Sequence, residues 1–177
     1  MTLVRAGQAI ALAACLLAAP LAGLPAASAA DGPQEPETRF TATLVARHSG
    51  KCLDVYGSGT QDGADVIHWS CHGGANQEWR LVATDSGYYT IRAGHSGKCL
   101  DVYGSGTQDG ADVIQWTCGN GANQQWELVQ KDNGYFTVVA RHSGKCLDVY
   151  GGSTRDGADV IQWTCWGGAA NQEWKLG

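Results

Sequence analysis

The chain has 177 residues, with 12 Lys and Arg against 17 Asp and Glu, and a formal net charge of −5. That balance excludes nucleic acid and anionic membrane surfaces as natural partners, because their phosphates attract basic patches. The length, once a leading segment is set aside, is that of one domain.

Residues 1–30 differ in composition from everything after them. Arg5 is their only charge, the apolar run AIALAACLLAAPLAGLP follows, and the small residues AASAA close the segment. Basic, then apolar, then small is the order of a secretory signal peptide, with cleavage expected before Ala30 or Asp31. Pro20, Gly23 and Pro25 interrupt the apolar run, so no membrane-spanning helix is expected there. LAAC at Leu12–Cys15 resembles a bacterial lipoprotein signal, but the apolar run continues past the cysteine, where polar sequence usually follows. The expected product is secreted and extracellular, and with Arg5 gone its charge drops to −6. DGPQEPE, rich in Pro and acids, belongs to a short disordered leader over 31–39.

The rest of the chain repeats itself. HSGKCLDVYGSGTQDGADVI runs from His48 to Ile67 and recurs unchanged from His95 to Ile114. A third copy, HSGKCLDVYGGSTRDGADVI, runs from His142 to Ile161, so the step is 47 residues. Such self-similarity signals an architecture of stacked or symmetric units. Each unit reads as four short strands, seen in the second as YYTIRAG, KCLDVYG, DVIQWTC and QQWELVQ. HSG, GSGTQDGA, GNGAN and KDNG separate them, and Gly, Asn, Asp and Ser are turn formers. No run has the length or period of a helix. Three four-stranded units predict an all-β, pseudo-threefold body; a propeller would have too few blades.

The step also places Cys52, Cys99 and Cys146 in register, and likewise Cys71, Cys118 and Cys165, 19 residues later in each copy. Six cysteines allow fifteen pairings in principle. The repeat singles out 52–71, 99–118 and 146–165, each inside its own unit. In a secreted chain such bridges are expected, and each contributes about 3 kcal/mol by constraining the unfolded chain. Zinc sites favour short C-x₂₋₄-C pairs, which do not occur here, so no metal and no cofactor are expected.

C-L-D-V, a hairpin, a W-x-C step and then A-N-Q-x-W resemble the ricin B-type lectin repeat. The closing motif stands at Gln77-Glu78-Trp79, Gln124-Gln125-Trp126 and Gln172-Glu173-Trp174. The resemblance covers 40–177, divided into repeats 41–87, 88–134 and 135–177. It implies a β-trefoil, with six strands in a barrel and six in a cap. It also implies carbohydrate binding, with galactose- or xylose-type glycans as ligands, and a monomeric, non-catalytic module.

Elementary chemistry points the same way. A sugar has an apolar C–H face and polar edges, so a shallow site needs one aromatic ring and a few fixed donors and acceptors. A carboxylate accepts from neighbouring hydroxyls more strongly than a neutral group, and an amide offers both roles. The first unit supplies Asp54, Trp69, His72 and Asn76; the second Asp101, Trp116 and Asn123; the third Asp148, Trp163, Trp166 and Asn171. The resemblance assigns these the sugar-binding roles. It gives Gln77, Gln124 and Gln172 either a bond to the sugar or the task of steadying the aspartate.

Other readings stay open. The platform tryptophans could pack in the core, Asp54 could cap a turn, and Tyr56, Tyr103 and Tyr150 could flank the pocket or pack. Trp79, Trp126 and Trp174 are expected in the core, the Asp-Gly pairs at 62, 109 and 156 in turns, and His48, His95 and His142 in solvent. Ile67 stands two before Trp69, where the family often has a polar residue. Strand alternation puts the two on one face, unless a bulge re-aims them. Position 72 varies between copies, as His72, Gly119 and Trp166, and the third copy carries one extra residue before Asn171. A hydrogen bond from His72 would rank the first site above the second. Glycoside hydrolysis would need two carboxyl groups about 5–10 Å apart, with Asp65 or Glu78 as partners for Asp54. A trefoil inhibiting a protease through one loop is the third class.

Overall fold

A computed structural model describes residues 39–177. The expected signal peptide and residues 31–38 of the expected leader lie outside the described residues. Arg39, assigned above to the leader, already begins a strand.

Each copy folds as four short strands, cut short by the turn residues read above. The first copy has one strand in two halves, β1 (Arg39–Ala42) and β2 (Leu44–Ala46), then β3 (Cys52–Val55), β4 (Ala64–Trp69) and β5 (Trp79–Ala83). The second has β6 (Tyr89–Ala93), β7 (Cys99–Val102), β8 (Ala111–Trp116) and β9 (Trp126–Gln130). The third has β10 (Phe136–Ala140), β11 (Cys146–Val149), β12 (Ala158–Trp163) and β13 (Glu173–Leu176). The helical residues are three-residue 3₁₀ turns, among them Tyr56–Ser58, Tyr103–Ser105 and Tyr150–Gly152 after each C-L-D-V strand.

The outer strands of each copy close a barrel. β1 pairs with β5, β5 with β6, β6 with β9, β9 with β10, β10 with β13, and β13 with β2, all antiparallel. Closure removes exposed sheet edges. The inner strands form three hairpins, β3–β4, β7–β8 and β11–β12. These hairpins pair with one another through β4–β8, β8–β12 and β12–β4 and cap the barrel. This is the β-trefoil that the resemblance to the ricin B-type lectin repeat implied.

The core follows from strand alternation. Leu53, Val55 and their equivalents in the other copies point inward with Leu44, Leu81 and Ile91, all fully buried. Trp79, Trp126 and Trp174 are also fully buried. Their indole Nε1 groups donate to the carbonyls of Leu53 (3.0 Å), Leu100 (3.0 Å) and Leu147 (3.1 Å). A buried indole N–H needs such a partner, and here the bond pins each hairpin to the barrel. The bridges 52–71, 99–118 and 146–165 form within each copy. Each ties the start of a C-L-D-V strand to the loop that follows its W-x-C step.

Two features read above as local turns hold neighbouring copies together. Asp156 accepts from the backbone N–H of Ser70 (2.7 Å) and pairs with Lys51. Asp62 does the same for Thr117 (2.7 Å) and Lys98 (2.6 Å), and Asp109 for Thr164 (2.8 Å) and Lys145 (2.6 Å). The lysine bonds hold all three carboxyls below the usual aspartate range. The histidines expected in solvent are instead half-buried. His48, His95 and His142 bond through Nε2 to the carbonyls of Ser153 (2.9 Å), Gly59 (2.9 Å) and Gly106 (2.8 Å), each in the adjacent copy. Their position in a turn suggested exposure, but that turn is itself covered by the neighbouring copy.

Candidate functional site

Each hairpin of the cap carries a pocket on its outer face. In the first, Asp54 on β3 lies opposite Ile67 on β4. Directly opposed residues of an antiparallel pair share a face, and residues two apart on a strand do as well. Asp54, Ile67 and Trp69 therefore line one concavity, which the turn after β3 completes with Tyr56 and the loop after Cys71 with His72 and Asn76. The second pocket has Asp101, Tyr103, Ile114, Trp116 and Asn123, and the third has Asp148, Tyr150, Trp163, Trp166 and Asn171.

The platform tryptophans are exposed in part, Trp69 by 36% and Trp116 by 42%, against none for Trp79 and Trp126. That contrast takes Trp69 and Trp116 out of the core. Alternation holds along β4 without a bulge, so Ile67 and Trp69 share the pocket face, with the isoleucine as its buried floor. The tyrosines, left undecided by the sequence, are 61%, 61% and 58% exposed on the pocket rim. Their place in the turn straight after the C-L-D-V strand was the available signal.

The aspartates are buried and held by amides. Asn76 Nδ2 donates to Asp54 Oδ1 (2.9 Å) and Gln77 Nε2 to Oδ2 (2.8 Å). The second copy repeats this from Asn123 (3.0 Å) and Gln124 (2.6 Å) to Asp101, and the third from Asn171 (3.0 Å) and Gln172 (2.8 Å) to Asp148. Gln77 is fully buried, and its Oε1 accepts from the N–H of His72 at 2.8 Å. Of the two roles open to it, the structure shows the steadying one; Gln124 and Gln172 sit in the same way. A carboxylate has about four lone-pair sites, so roughly two remain for a ligand after the amides are counted. Burial pushes all three aspartates above the usual range, and the amide bonds only partly offset it.

His72 contacts its own loop and Asp54. Its Nδ1 accepts from Gly74 N–H (3.1 Å), and its Nε2 lies 3.3 Å from Asp54 Oδ2. Nδ1 is thus taken up by the loop, while Nε2 faces both the carboxylate and solvent, the side chain being about half exposed. His72 lines the first pocket through a ring that also contacts Asp54, a feature that the second pocket, with Gly119, lacks. Among the described residues no group of three His, Cys, Asp or Glu side chains is arranged to hold a metal.

Each platform leans on another copy. A Cβ built on Gly157 would meet Trp69 Cζ3 at 3.6 Å; Gly63 stands so to Trp116 and Gly110 to Trp163, both at 3.7 Å. These glycines have φ of +81°, +81° and +83°, where side chains are disfavoured. Each pocket is thus lined by one repeat, while the platform ring is backed by a glycine of another.

The family model for the ricin-type β-trefoil lectin domain matches residues 40–174. The chain belongs to the ricin-type β-trefoil lectin family. At that level its function is carbohydrate binding. The lectin resembles a designed threefold-symmetric protein, ThreeFoil, at 57% identity and a TM-score of 0.75, covering 77% of this chain and 96% of that one. It is 38% identical to an exo-β-1,3-galactanase from Clostridium thermocellum, with a TM-score of 0.76, covering 80% of this chain but only 30% of the enzyme. The Rhizoctonia solani agglutinin is 26% identical, with a TM-score of 0.70 and coverage of 81% and 96%.

Proposed function

We propose that the protein is a secreted, monomeric, non-catalytic lectin whose three pockets bind galactose-type residues of extracellular glycans. The observation that carries this reading is the threefold recurrence of one buried, amide-held aspartate beside one pocket-lining tryptophan and one exposed tyrosine. The aromatic ring takes the apolar C–H face, and the aspartate accepts from two adjacent hydroxyls. Galactose-type ligands are favoured over xylose-type ones because the 38% identical relative is an exo-β-1,3-galactanase. Each pocket lining contains a single carboxyl group. Glycoside hydrolysis generally uses two, which supports binding without chemistry.

The test is a glycan array with the chain beginning at Ala30 or Asp31, run beside hydrolysis of β-1,3-galactan and inhibition of a protease panel. Galactoside binding without hydrolysis or inhibition is the expected result. Sugar release, protease inhibition, or an array on which only non-galactosides bind would each refute the reading. The intact mass of exported protein tests secretion: retention of residues 1–29, or a lipid on Cys15, would contradict it.

A further inference from the structure

The three sites share their aspartate, amides and platform, and differ at two rim positions. The first is the residue after the second cysteine: His72, Gly119 or Trp166. The second is the rim turn, where Ser58 and Ser105 line the first two pockets and Gly152 lines the third. Both serines hold φ of 53°, a strained conformation for a residue with a side chain, whereas Gly152 takes 61° without strain. The third site thus loses a hydroxyl and gains an indole. Trp166 is 63% exposed, the most exposed large apolar side chain among the described residues. It is nonetheless anchored, because its backbone N–H donates to Gln172 Oε1 at 2.9 Å. The same glutamine holds Asp148, so the Trp166 backbone and the carboxylate are held by one side chain. The extra residue in this copy is absorbed in the turn where Ala169 N–H donates to Trp166 O at 3.2 Å, and Asn171 still reaches Asp148. The third cavity is the largest of the three, about 380 Å³ against 340 Å³ and 250 Å³.

A single sugar ring is served by one indole, one tyrosine and the aspartate. A second exposed indole on the same rim has no work left on that ring. We propose that the third site is built for a two-ring ligand: a β-linked disaccharide or the end of a longer chain, with one sugar on Trp163 over Asp148 and the next on Trp166. This rests on the galactoside reading above and names the ligand class of one of its sites. The first two sites, with a histidine turned onto the aspartate or a glycine, take one terminal residue each.

The experiment uses the full chain carrying Trp69→Ala and Trp116→Ala, which leaves the third site as the one measured. Galactose and β-1,3-galactobiose are titrated into it, and then into the same chain with Trp166→Ala or Trp166→Phe. The disaccharide should bind about tenfold more tightly than the monosaccharide, a difference expected of one added stacking contact. Trp166→Ala should remove that advantage, bringing the disaccharide down to the affinity of galactose, while Trp166→Phe should keep most of it. Equal losses on both ligands, no loss on either, or a gain on removing the indole would overturn the proposal while leaving galactoside binding standing. Failure of the parent chain to bind either ligand would overturn the galactoside reading, and this proposal with it.

Discussion

Gly157, in the third repeat, supports Trp69, in the first: a Cβ on the glycine would touch the indole Cζ3 at 3.6 Å. Asp156 beside it holds the backbone of Ser70, next to that same tryptophan. The first sugar site is therefore positioned from the far end of the chain. Gly157→Val would combine a left-handed φ, costing about 1–2 kcal/mol, with a displaced platform. We expect it to weaken the first site and leave the second and third nearly unchanged. Site-resolved titration of the three platform tryptophans checks this, and equal weakening of all three would point to general destabilisation.

Asp54→Ala should cost stability as well as binding. It takes one acceptor from each of the buried Asn76 and Gln77 amides, which keep their bonds to the Val55 and Ser70 carbonyls. A buried donor without a partner costs about 1–3 kcal/mol. By contrast Tyr56→Ala, at a rim residue 61% exposed, should weaken binding with little change in stability. Chemical denaturation beside galactose titration separates the two, and an Asp54→Ala protein as stable as the parent would contradict the network described here.

His72→Gly copies the second site into the first. Because His72 already sits on Asp54, its removal frees a lone pair and enlarges the cavity. Galactose should bind this variant no more weakly than it binds the parent's first site. A loss of about threefold or more, the loss of a net hydrogen bond, would give the histidine the role of direct ligand.

Acid should act in two separate windows. His68 is fully buried, and burial, then the facing charges of His48 and Lys51, lower its pKa, with Asp156 opposing. A basic group with a lowered native pKa binds its proton more readily when unfolded, so stability falls as pH drops below about 6.5. His68→Gln, matching Gln115 and Gln162, should flatten that fall; thermal melts between neutral and acidic pH measure it. The three pocket aspartates are raised by burial, so their protonation begins above the usual carboxylate range. Galactose affinity should fall with a midpoint above 3.8, and a midpoint at or below it would show a solvated carboxylate.

Much of this protein is legible in the sequence because the repeat makes it so. A contact inside one copy recurs at a fixed spacing, so the three bridges stand out by register, while the core tryptophans and the grouping of Asp54 with Trp69 followed from the resemblance to the ricin B-type lectin repeat and the chemistry of a sugar. Strand alternation then placed Ile67 with Trp69, whereas Tyr56 reaches the same face through the turn that follows β3. Whether that shared face was core or surface, and so whether Trp69 was a platform, depended on how the hairpin lay over the barrel.

Contacts between copies were not legible. Ser70 and Asp156 are 86 residues apart, and His48 and Ser153 are 105 apart; no local pattern links either pair. Their meeting depends on how three hairpins turn about a common axis and pair through β4, β8 and β12. The same is true of His72, whose chemistry offered a hydrogen bond to a ligand or to the protein, and whose loop geometry brings its Nε2 to Asp54. The sequence by itself determined which residues each copy brings to its pocket, because covalent spacing and strand period act within a repeat. Only the tertiary structure decided which of them face the ligand and which neighbour holds them there, because packing between repeats has no periodic trace in the chain.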